Sequence, residues 1–218
     1  MSLHFHREID RLKKKLLALS AIVEEDLAIA LRSMREHDVD LARRVIHTDA
    51  EIDEMEIDVE EDCLKILALY HPVAGDLRFI VSVLKMNNEL ERIGDLAKNI
   101  AKRAITLAGS GATQIPPQID LLGERALTML KKALDALVTL NADLAREVCK
   151  LDDEVDALNK EMFRLIRDRL RAAETDVDAD LQIMLTARYL ERIADHVTNI
   201  AEDVVYLAGG EIIRHQGK

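Results

Sequence analysis

Residues 90–101 read LERIGDLAKNIA and residues 190–201 read LERIADHVTNIA, identical at eight of twelve positions. A second echo precedes each copy. DLARRVIHTDAEID (40–53) matches DLAREVCKLDDEVD (143–156) at eight of fourteen positions. The chain is a tandem duplication, and the duplicated unit is helical. In the first copy Leu90, Ile93, Ala97, Ile100 and Ala101 fall on one side of a helix at 100° per residue.

The same spacing extends outward over the whole chain. Phe5, Ile9, Leu12, Leu16, Leu19, Val23, Leu27, Ala30 and Met34 mark one face of a long first helix. His37–Asp40 breaks it, with Asp38 or Asp40 placed to cap a second helix that runs to about Tyr70. His71-Pro72-Val73-Ala74-Gly75-Asp76 stops that helix and opens a third, which ends at Gly109. Residues 109–117 hold the one Gly/Pro-rich stretch and read as a linker. A fourth helix then leads to a turn at Asn141–Asp143, a fifth runs to about Arg171, and Thr175–Asp178 turns into a sixth that stops at Gly209-Gly210. The expected fold is all-α, two tandem antiparallel three-helix bundles. The expected boundaries are 1–108, a linker 109–117, 118–210 and a C-terminal tail 211–218.

Composition narrows the function. The chain has 218 residues, 49% of them hydrophobic and 33% charged, with a net charge of −11. It carries no basic stripe to neutralise phosphates, and without Trp and with few other aromatics it has no base-stacking platform; nucleic acid is excluded. Cys63 and Cys149 belong to no metal-type cluster and read as free thiols. No apolar run reaches the roughly 18–20 residues of a membrane span, and the N-terminus lacks a signal-peptide core. These features describe a reduced, cytoplasmic protein.

The duplicated stretches place acids at i, i+4 four times: Asp49/Asp53, Glu91/Asp95, Asp152/Asp156 and Glu191/Asp195. Like charges at this spacing repel by a few tenths of a kcal/mol, so a helix gains nothing from them. Counted from the turn near residue 73, the first two pairs lie at heights within about 5 Å of each other on neighbouring antiparallel helices. In the second half the mismatch is roughly 8 Å. The acids lie on a flank away from the apolar stripe, with Asn99 and Asn199 beside them as further ligands or supports. Four carboxylates suit Fe, Mn, Mg or Ca, and Zn less well without thiolate or imidazole. His196 points about 100° away from Asp195.

The paired Leu-Glu-Arg-Ile-Gly/Ala-Asp-x-x-x-Asn-Ile-Ala segments resemble the PhoU family of bacterial phosphate-signalling regulators, over about residues 4–210. The resemblance implies a cytoplasmic negative regulator of the phosphate-starvation response. Such regulators link the ATPase-driven phosphate ABC transporter to a membrane sensor histidine kinase, and often form homodimers. It also implies multinuclear iron or zinc clusters, with Asp49, Asp53, Glu91 and Asp95 as one ligand set and Asp152, Asp156, Glu191 and Asp195 as the other. Lys98, which stands where the second copy has Thr198, lies near Glu91 and is expected to weaken the first site.

No nucleophile–base arrangement or Gly-rich phosphate loop is present, so the leading expectation is a non-enzymatic adaptor. The alternative is a metal-dependent hydrolase using the carboxylate clusters. A histidine phosphotransfer role for His196 ranks last. Arg78, Arg92, Arg188 and Arg192 are expected to pair with local acids unless they meet a partner.

Overall fold

The computed structural model describes residues 3–110, 114–172 and 176–213, and contains six helices in those residues and no strand. They are α1 (Leu3–Glu36), α2 (Val39–Tyr70), α3 (Ala74–Gly109), α4 (Pro117–Thr139), α5 (Ala142–Ala172) and α6 (Val177–Gly209). The expected turns fall where the caps dictate. Asp38 accepts from the amides of Asp40 (2.9 Å) and Leu41 (3.0 Å), satisfying two orphan donors at the start of α2. Asn141 does the same for Asp143 and Leu144 at α5, and Asp176 for Asp178 and Ala179 at α6. Thr175, part of the expected last turn, lies outside the described residues.

The turn before α3 differs from expectation in detail. Val73 is its N-cap and supplies no side-chain bond. The left-handed backbone conformations fall on His71 (φ 46°) and Ala74 (φ 49°), while the adjacent Gly75 is helical. Each such non-glycine residue costs roughly 1–2 kcal/mol, which the packing of the two long helices outweighs.

Helices α1, α2 and α3 form one bundle and α4, α5 and α6 the other, and α1 against α4 and α3 against α6 join them. All six share one hydrophobic core, from Leu12, Leu19 and Leu27 on α1 to Ile193, Ile200 and Val204 on α6. Helices α2 and α5 touch only their own bundle and form the two outer edges. Gly123 lets α1 and α4 approach closely, since a Cβ there would lie 2.5 Å from Leu31 Cδ2. The α3–α6 seam is antiparallel. Along it Arg103 donates to Gln182 (2.9 Å), Glu89 meets His196 Nδ1 (2.6 Å), and Lys85 reaches Asp203 (3.5 Å). Rising numbers on α3 thus meet falling numbers on α6, so a pseudo-two-fold axis crosses the seam at right angles to the helices.

Candidate carboxylate sites on the two bundle flanks

Because α2 and α3 run antiparallel, the first acid of one i, i+4 pair lies level with the second of the other. The structure shows this in the first bundle. Lys98 Nζ lies 2.6 Å from Asp49 Oδ2 and 2.7 Å from Asp95 Oδ1, tying α2 to α3. These two ion pairs hold the Lys98 ammonium above its ordinary pKa against the cost of its own burial. The lysine was expected to neutralise Glu91; it neutralises the Asp49–Asp95 level instead. One turn along, burial raises the Glu91 carboxyl. Arg92 (3.4 Å) opposes the rise, while Asp95, Asp53 and Glu56 add to it.

Two further acids join this flank. Glu56, one turn beyond Asp53, is also raised, by burial first and then by Glu60 and Asp53. The Asn87 amide donates to its Oε1 (3.1 Å) and to its backbone carbonyl (2.8 Å). Asp26 of α1 is 3% exposed, and burial pushes its carboxyl up to about 7, with Glu25 adding, Arg44 opposing, and Asp49 and Glu51 adding further. Its signal was legible: Asp26 lies three residues after Val23 and four before Ala30, on the apolar stripe of α1.

In the second bundle Glu191 and Asp195 of α6 lie near Asp156 of α5, and Thr198 stands at the position of Lys98. Glu191 is held above its ordinary pKa by burial, then by Asp195; Arg188 opposes this and Asp156 adds to it. Arg188 Nη1 pairs with Glu191 Oε1 at 2.7 Å, which leaves Oε2 buried with no hydrogen-bond partner. Thr198, at the position of Lys98, also has a buried hydroxyl without a partner. Asp156 pairs with Lys160 at 3.4 Å, and Asp152 is half-buried one turn earlier on α5, close to Cys149. Asn99 is half-buried on α3. Asn199 donates across the seam to Glu89 Oε2 (3.2 Å), the same oxygen that meets His196. That three-residue contact brings together side chains 107 and 110 positions apart, which no local spacing announces.

The two flanks therefore differ as cation sites. Among the described residues no three His, Cys, Asp or Glu side chains are already gathered as a metal cage. In the first bundle an internal ammonium stands between the carboxylates, and the donor set does not fit a resident metal while Lys98 remains there. In the second bundle the orphaned Glu191 oxygen, with Asp156 and Asp195 near enough to raise its pKa, fits a hard cation. Burial also pushes the thiols up, to about 12 for Cys63 and about 11 for Cys149, so both are unreactive at neutral pH.

Duplicated three-helix bundles with acid-bearing flanks define the class of tandem helical-bundle proteins. Comparison with known proteins specifies which. The family model of the PhoU domain matches twice, over residues 16–104 and 119–204. A phosphate-specific transport system accessory protein PhoU homologue of Pseudomonas putida is 36% identical over 218 residues, all of this chain and 85% of that protein. The homologue 1 of Thermotoga maritima is 35% identical over 210 residues, 95% of this chain and 90% of that one. The crystal structure of PhoU from Pseudomonas aeruginosa superposes with a TM-score of 0.92 at 36% identity, covering 95% of this chain and 100% of that chain. That of the phosphate transport system regulatory protein PhoU from Streptococcus pneumoniae gives 0.85 at 31%, covering 95% and 98%. The chain belongs to the PhoU family. No helix among the described residues is long and apolar enough to cross a membrane.

Proposed function

We propose that this protein is the accessory regulator of a phosphate transport system: a negative regulator of the phosphate-starvation response that links the transporter ATPase to a phosphate-sensing histidine kinase. The observation that carries the reading is the double PhoU-domain match on a chain that superposes over 95% of its length on PhoU structures. The physical picture is an adaptor. Its long helices share one core, and its outer helices α2 and α5 touch only their own bundles and leave one side exposed. Deleting the gene in its host and measuring phosphate-regulon transcription in high phosphate tests this. Transcription rises if the protein restrains the response; unchanged transcription overturns the reading.

We further propose that the second flank is a carboxylate metal site, with Asp152, Asp156, Glu191 and Asp195 as its oxygen ligands. Iron or zinc is the metal that the family likeness suggests, and the oxygen set also admits Mn, Mg or Ca. A bound cation would supply the positive charge that Lys98 already supplies in the first flank, cross-linking α5 to α6 as Lys98 links α2 to α3. Elemental analysis of the purified protein is expected to find metal that survives Glu91→Ala/Asp95→Ala and is lost in Glu191→Ala/Asp195→Ala. A Lys98→Ala protein should bind additional metal, because it removes the internal cation and leaves Asp49 and Asp95 facing each other. Metal lost with the first pair, or none in the wild type, would refute the asymmetry.

A further inference from the structure

The duplicated halves carry opposite charge at one matching place. At the end of α5, Phe163, Arg164 and Arg167 stand where the first repeat has Glu60, Glu61 and Leu64 near the end of α2. The helix holds the same position in both bundles, so folding alone does not require arginine there. In α5 the arginines also exceed their local partners. Arg167 (3.3 Å) and Arg171 (3.9 Å) share the single carboxylate of Asp168, and Arg164 has no ion-pair partner among the described residues. Between α5 and α6 these three side chains rim a groove of about 510 Å³. Its floor is Phe163, Leu170 and Met184, and Phe163 is 43% exposed. On a chain of net charge −11, this is a local patch of the opposite sign with an apolar base.

We infer that this groove is a docking surface for an acidic amphipathic helix of a partner protein. Three features set the occupant's chemistry. Positions 163, 164, 167 and 171 extend over about two helical turns, the reach of anchors at i, i+4 and i+7 on an incoming helix. The floor offers aromatic and thioether groups, which suit apolar anchors, and the guanidiniums present forked donors to carboxylates on either side. The groove is shallow and lies on a strongly acidic molecule, and that surrounding charge favours a narrow partner segment over an anionic bilayer that the rest of the surface repels. The surface is separate from the carboxylate flanks, and the inference stands or falls independently of the phosphate reading.

The test uses the full chain and a panel of short synthetic amphipathic helices, with leucines at i, i+4 and i+7 or at i, i+3 and i+7 and glutamates beside them. Counterparts carry lysine in place of glutamate. Binding is read by fluorescence anisotropy at low and high salt, with phosphatidylglycerol vesicles as a parallel probe. The glutamate helices are expected to bind the wild type, and an Arg164→Glu/Arg167→Glu variant should weaken that binding at least tenfold. The same variant should gain affinity for the lysine helices. Both arginines are exposed, so circular dichroism and the thermal midpoint should match the wild type. The inference is overturned if glutamate and lysine helices bind the wild type alike, or if the variant binds the glutamate helices undiminished. It is overturned equally if vesicles alone bind through these arginines.

Discussion

An Arg169→Ala protein is expected to lose about 3–5 kcal/mol of folding free energy. Asp180, in the first turn of α6, is 0% exposed, and Arg169 of α5 reaches its Oδ1 at 3.0 Å. Neither Asp180 oxygen has an aligned hydrogen bond among the described residues. The guanidinium and the positive end of the α6 dipole are therefore what compensates a buried negative charge. Truncating the arginine removes the larger part and strands the carboxylate. Urea denaturation at neutral pH measures the loss as a shift in midpoint at unchanged slope. The double variant Arg169→Met/Asp180→Leu separates charge from shape: it should recover most of the stability, because two packed apolar side chains carry no desolvation cost. A single variant within about 0.5 kcal/mol of wild type, the usual surface effect, would show that Asp180 is compensated by other means.

The opposite sign is expected at Asp26. Its carboxyl has a folded pKa of about 7 against an ordinary 3.8. Below the lower value it is protonated in both states and adds no pH-dependent penalty. As the pH rises toward 7, the unfolded chain ionises freely while the folded chain holds its proton, and stability falls. Above about 7 the whole penalty is present. At about 1.4 kcal/mol per unit the ceiling is roughly 4 kcal/mol, and relaxation around the side chain brings the expectation to about 2–4. Asp26→Asn should therefore be more stable than wild type at pH 8 and should converge on it near pH 4. An advantage that is constant with pH would point to packing and away from titration.

These two sites also show how far the chain could be read in advance. The repeat, the apolar period and the Asp and Asn caps are local signals, and they predicted six helices with ends that agree closely with those observed. The buried acids were legible too, since Asp26, Asp180 and Asp203 each lie on an apolar stripe: Asp180 precedes Ile183 by three, and Asp203 follows Ile200 by three. Pairing across elements was not. Lys98 has Asp95 one helical turn before it and Glu91 a further turn back on the same face, and only the docking of α2 on α3 brings Asp49 to it and fixes the Asp49–Asp95 level over Glu91. Likewise Asn199, whose helical angle puts it beside the acids, meets Glu89 because α3 and α6 run in opposite directions. Spacing along one helix says which residues share a face; it does not say what lies opposite that face.

The crossing of α3 and α6 about a pseudo-two-fold axis has one more consequence. It is the joint that two separate copies of a single three-helix unit would form as a symmetric pair. In such a pair every change is made twice, once on each side. Covalent fusion ends that obligation, and a substitution then alters one side alone. Lys98 opposite Thr198, and Glu60-Glu61 opposite Phe163-Arg164, are differences of this kind. A molecule built on a symmetric plan thus presents two unlike edges, each free to carry its own chemistry.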